Sequence, residues 1–138
     1  MNASQLRREL TRLTQSIHQA AILGVAEAAE LVKDAAKDRI GHGDDLLPLA
    51  EATIEEKERL GFPPDPLLRT GALRDSIKVV HEGLRASIGS DMDIAVYQEH
   101  GTVTIPPRPF LTPALMDKAN EVAVVIRQQV AKAIGKFG

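Results

Sequence analysis

The run Ile77-Lys78-Val79-Val80-His81-Glu82-Gly83-Leu84-Arg85-Ala86-Ser87-Ile88-Gly89 decides the fold. Ile77 and Val79 alternate with Lys78, and Leu84, Ala86 and Ile88 alternate with Arg85 and Ser87. A period of two marks a strand with one covered face. Glu82-Gly83 reads as the tight turn between the two runs, and Gly89-Ser90-Asp91 closes the second, so the segment is a hairpin. Downstream, Ile94–His100 reads two ways, as a third strand or as a helical turn. Gly101–Ile105 reads as a further strand. The block 71–110 is therefore expected to be a small antiparallel sheet of three to four strands.

Helical patterns flank it. From Ser4 to about Arg39, the residues Leu6, Leu10, Leu13, Ile17, Ala21, Gly24, Ala28, Leu31 and Ala35 step by three or four, the period of one helical face. Ser4 suits its N-cap and Gly41 its end. At the other side Leu115, Ala119, Val122, Ile126, Val130 and Ala133 form a second stripe. Thr112 is the expected N-cap of that helix, Pro113 its first residue, and Gly135-Lys136 its end. Between the first helix and the sheet, residues 41–70 form a long connection with a short helix over Leu49–Leu60. Connections of this length usually serve a function or order only against a partner. The expected architecture is one α+β domain over 1–138. A long helix (1–40) leads through the loop (41–70) to the sheet (71–110), and a C-terminal helix (112–136) packs on that sheet.

The first helix is too long for the body. A chain of 138 residues has a radius of gyration of roughly 14 Å, hence a diameter of roughly 35–40 Å. A helix of about 35 residues spans roughly 52 Å. Either it kinks, with Gly24 the weak point, or it projects and packs against another chain.

Composition narrows the function. Hydrophobic residues make up 43% and charged residues 26% of the chain, the balance of a soluble globular protein. Aromatics are only 3%, so Leu, Ile, Val and Ala must build the core. The absence of cysteine excludes disulfide frameworks, thiolate metal sites and cysteine nucleophiles. A net charge of -2 argues against a globally basic nucleic-acid binder. The N-terminus lacks the apolar run of a signal peptide, and no stretch approaches the ~20 apolar residues of a membrane span.

Two further stretches carry specific patterns. One is Pro66-Leu67-Leu68-Arg69-Thr70-Gly71-Ala72-Leu73-Arg74-Asp75-Ser76-Ile77. The other is Tyr97-Gln98-Glu99-His100-Gly101-Thr102, followed by Ile105-Pro106-Pro107-Arg108-Pro109-Phe110-Leu111-Thr112-Pro113-Ala114-Leu115. The prolines force an extended arm that delivers Phe110 to a fixed place ahead of the helix. Two readings follow: Phe110 simply anchors the helix to the core, or the arm and Arg108 present an edge to a neighbouring subunit. Glu99 and Arg108 suit an ion pair, and Gly101 a backbone conformation closed to other residues.

Together these stretches resemble the gp-ten-like minor structural proteins of tailed phages, with the related Mu-type virion morphogenesis proteins. The residues that match are Thr70, Gly71, Leu73, Ser76 and Ile77, then Tyr97, Glu99, Gly101 and Thr102, then Pro107, Arg108, Pro109, Phe110 and Leu111. Leu49–Lys57 is similar to a segment of the Mu-type proteins. The resemblance implies a tail-completion or head–tail joining protein of the virion neck, with a tail terminator as the alternative. It further implies a homo-oligomeric ring contacting head-completion or adaptor proteins and tail-terminator or tail-tube proteins. The chain would be made in the host cytoplasm, with no cofactor, no membrane partner, and DNA only as passing cargo.

Two other classes read less well. An enzyme would have to use Glu99 and His100, with or without His81 and Asp91. Neighbours on a strand diverge, and His18, His42, His81 and His100 show no metal-ligand spacing. A nucleic-acid module would have to use Arg7, Arg8 and Arg12 with Lys132 and Lys136, which more readily serve as solvated helix tips.

Overall fold

A computed structural model describes residues 1–40, 72–101 and 109–136, apart from the side chains of Ile94 and Gln98. The elements are α1 (Ala3–Arg39), α2 (Ala72–Ser76), β1 (Lys78–Glu82), β2 (Arg85–Gly89), α3 (Asp93–His100) and α4 (Leu111–Gly135). The expected loop and short helix of 41–70 lie outside the described residues.

α1 is one unbroken helix of 37 residues, about 55 Å long. It opens earlier than the Ser4 cap expected from sequence. Asn2 caps it, accepting from the Gln5 N–H at 2.9 Å while the Gln5 side chain accepts from the Asn2 N–H at 2.8 Å. This reciprocal pair satisfies two of the donors a helix start leaves open. At its other end Ile40 leaves the helical conformation and is fully buried; Gly41, the expected end, lies outside the described residues.

Gly24 is no kink. It is buried where α4 crosses, and a Cβ there would stand 3.0 Å from the Ile126 Cα. The two helices run antiparallel. Arg39 meets Asp117 at 2.8 Å near one end, Gln129 donates to Glu27 at 2.9 Å, and Ala20 and Ala133 are buried near the other. The buried face of α1 is Ala20, Gly24, Ala28, Ala29, Val32 and Ala36. Such small residues let backbones approach closely, and dispersion contacts accumulate along the whole seam. α4 therefore packs along α1, not chiefly on the sheet as expected, and the hairpin also lies against α1.

β1 and β2 pair antiparallel with Val79 opposite Ile88 and Glu82 opposite Arg85. That register moves the turn one residue along, to Gly83-Leu84. Gly83 takes φ 58, the positive value that two-residue hairpin loops ask of their first residue. Leu84 thus sits in the turn, 55% exposed, and not on a strand. The described sheet has two strands. Of the two readings for Ile94–His100 the helical one holds, and the expected strand from Gly101 runs into undescribed residues. One apolar cluster joins the pieces: Ala36, Ile40, Leu73, Ile77, Ala95, Phe110 and Ala114.

Candidate functional site

Among the described motif residues, Leu73, Ile77 and Phe110 pack against the end of α1. Leu73 and Ile77 are buried in the cluster beside Ile40. Ser76 sits between them and turns its hydroxyl to the Leu73 carbonyl and to Ser90, each at 2.6 Å. Ser90 in turn accepts from the Met92 N–H just ahead of α3. This short chain of hydroxyls ties α2, the end of β2 and the start of α3 together.

Glu99 performs the most specific task. One of its carboxylate oxygens accepts from the Phe110 N–H at 2.8 Å and the Leu111 N–H at 3.1 Å. The other accepts from the Thr112 N–H at 2.8 Å. The start of α4 is thus capped from a different helix. Thr112 is not the N-cap, and Pro113 is not the first residue, because α4 already begins at Leu111 with Phe110 before it. A carboxylate fits this place because helix N-termini carry open donors and partial positive charge. Partial burial pushes the Glu99 carboxyl upward, but the three backbone donors outweigh it and hold it below its ordinary range.

Both oxygens of Glu99 are therefore occupied by backbone groups. Arg108, its expected ion-pair partner, lies outside the described residues, as do Thr70, Gly71, Thr102 and Pro107. Gly101 closes α3 with φ 76 and ψ 174, a region essentially confined to glycine, and its N–H bonds the Tyr97 carbonyl at 2.7 Å. Phe110 is fully buried, while Pro109 and Leu111 are half-buried around it. Tyr97 is the motif side chain left facing outward, 46% exposed beside Val96 at 56%.

Removing the Glu99 cap has a predictable cost. Glu99→Gln keeps the size but loses charge and presents one acceptor where two stood. It should lower stability by about 1–3 kcal/mol at neutral pH. The folded pKa is depressed, so the cap contributes fully above the ordinary carboxylate value and fades as pH falls through the lowered one. Unfolding curves of the two proteins should thus converge below about pH 4. A gap that stays constant down to pH 2 would show that ionised Glu99 is not the cap.

The chemistry-bearing residues do not assemble into a reaction centre among the described residues. His100 follows Glu99 on one helix, exposed, while the His81 ring bonds the Gly83 carbonyl at 2.8 Å beside the hairpin turn. No group of three or more His, Asp or Glu among the described residues is placed to hold a metal. No described helix is long and apolar enough to cross a membrane.

Of the two readings that the length of α1 allowed, the structure shows a helix that extends beyond its partner. The last turn of α4 lies beside Ser16, Gln19, Ala20 and Leu23 of α1. Everything from Ala3 to Gln15 runs past it, an overhang of about 20 Å. Leu6 and Leu10 stand 48% and 54% exposed on this arm. The signal was present in the excess length of the helical stripe.

Comparison with known proteins adds one match. The family model described as "Bacteriophage HK97-gp10, putative tail-component" matches residues 4–101, well over half of the chain. No curated protein and no solved structure matches.

Proposed function

This chain belongs to the HK97 gp10-like family of bacteriophage tail components, and from that membership we propose that it completes the tail or joins it to the head as part of a ring-like homo-oligomer. It acts through surfaces, as a structural protein and not as an enzyme. The observation that carries this reading is the α1 arm, which projects an apolar stripe beyond the packed body. A soluble chain seldom leaves such a stripe bare unless another surface covers it. The motif residues support the same view. Leu73, Ile77 and Phe110 pack α2, α3 and α4 onto the far end of α1, so the helix that carries the arm is held in the body.

In this role the partners are further copies of the chain, head-completion or adaptor proteins, and tail-terminator or tail-tube proteins. Its place is the neck or tail top of the virion. Electron microscopy of particles made with this gene alone disrupted tests the proposal. The expected result is filled heads and finished tails lying unjoined, or tails with defective head-proximal ends. Normal infectious particles would overturn it.

A further inference from the structure

Two basic segments far apart in sequence meet at one end of the molecule. Because α1 and α4 are antiparallel, the arm bearing Arg7, Arg8 and Arg12 adjoins the α4 end bearing Arg127, Lys132 and Lys136. Across residues 1–20 and 127–136 these six cations face a single acid, Glu9, which already pairs with Arg12 at 3.1 Å. The remaining described residues carry seven Lys and Arg against eleven Asp and Glu. Among the described residues charge is thus unevenly divided between the two ends of the α1–α4 pair, although the full chain's net charge is only -2.

The apolar surface is polar in the same sense. At the basic end, Leu6, Leu10, Leu13 and Ile17 repeat with 4-3-4 spacing, the narrow seam of helix-on-helix contact. At the acidic end, α4 exposes Met116 (72%) with Ala119 and Ala123 on one face, and Leu115 (52%) beside it. Exposed Asp34, Asp38, Asp117 and Glu121 lie at this end, three of them paired with cations: Asp38 with Arg74, Asp117 with Arg39 and Glu121 with Lys118. One end offers an apolar stripe in a positive field, the other an apolar stripe rimmed by ion pairs.

We infer that the arm of one copy docks on the Met116–Ala123 face of α4 of a second copy, head to tail. This deepens the proposed assembly role and rests on it. The contact is heterologous, because arm and face are different surfaces, and repeating it generates a ring when the rotation closes. The excess of acids over cations among the described residues outside the basic end orients the encounter, and the two stripes exclude water once in contact. Arm-to-arm pairing is disfavoured, since it brings two positive ends together.

The full chain should form species larger than a monomer by native mass spectrometry at about 0.05 M salt, and these should dissociate as salt rises toward about 0.5 M. Leu6→Asp with Leu10→Asp breaks the arm, and Met116→Asp with Ala119→Asp breaks the face. Each double variant alone should be monomeric. Mixed, they restore one intact arm–face pair and should give a 1:1 dimer that grows no further. All four positions are exposed, so folding should persist by circular dichroism. If the face variant misfolds, Arg7→Glu with Arg8→Glu and Arg12→Glu supplies the second test, expected to weaken assembly at low salt.

A wild-type chain monomeric at every salt concentration, variants that assemble like wild type, or a mixture that forms no dimer would each overturn the inference. Loss of duplex-DNA binding in the arginine variant with self-association unchanged would also overturn it, assigning the arm to nucleic acid. Detection of the chain in purified particles checks the tail reading separately. A particle-borne chain with normally assembling arm variants would leave that reading standing.

Discussion

Replacing Phe110 by alanine should destabilise the protein by about 3–5 kcal/mol, near the upper end of what a single core truncation removes. Phe110 is the largest fully buried side chain and the only buried aromatic among the described residues. Its ring fills the space between the end of α1, α2, α3 and the start of α4. The neighbours there include Ala36, Ala95 and Ala114, whose methyl groups cannot swing in to refill the volume. The cavity should therefore stay largely open and its full cost be felt. Many domains hold only about 5–15 kcal/mol in total, so this variant would sit close to its unfolding threshold. Phe110→Leu preserves most of the volume and should cost about 1–1.5 kcal/mol. Urea unfolding of the three proteins measures both differences. A loss below about 1 kcal/mol for alanine would mean that the Glu99 cap, not the ring, holds the start of α4.

That balance between ring and cap shows what the sequence could and could not disclose. Helical periodicity located α1 and α4, and alternation located the hairpin, because both patterns are local. The Pro-rich approach to Phe110 correctly pointed to an anchored residue. The cap on α4 was assigned to Thr112 because an N-cap is normally a near neighbour in sequence. Here it comes from Glu99, eleven to thirteen residues upstream, and only tertiary structure brings that carboxylate to the helix start. The short segment Ile94–His100 was ambiguous because seven residues fit either period, and Gly101 at φ 76 favours ending a helix there. The hairpin turn shifted by one residue since Leu84 looks like a strand residue. The glycine at the first loop position decides otherwise. The arm's exposure was legible only as excess length. The basic residues of both helices were legible, but their meeting at one end was not, because it arises when α1 and α4 align.

Gly24→Val should push α1 and α4 apart beside Ile126, at a cost of about 3 kcal/mol. Glycine within a helix is ordinarily a weakness worth roughly 1 kcal/mol relative to alanine. Here it leaves the space that Ile126 occupies, and a Cβ would already stand 3.0 Å from the Ile126 Cα and 3.4 Å from its Cγ1. The closer contact is backbone, so no rotamer change relieves it. Alanine sets a gain in helix propensity against this contact, and its net effect should be within about 1 kcal/mol of zero. Valine adds two further carbons at the same place and must push α4 outward. The displacement acts on both ends of the pair, loosening the Gln129–Glu27 bond on one side and the Ala20–Ala133 contact on the other. Hydrogen exchange should therefore quicken first in the second half of α4, whereas Phe110→Ala should quicken it in the first half. Equal exchange along α4 in both variants would mean that the helix opens as one unit, with crossing and anchor no longer separable. The arm should respond to the two changes differently. Its base is set by how α1 and α4 align near Ala20, so Gly24→Val should weaken self-association at temperatures where the chain is still folded, and Phe110→Leu should not.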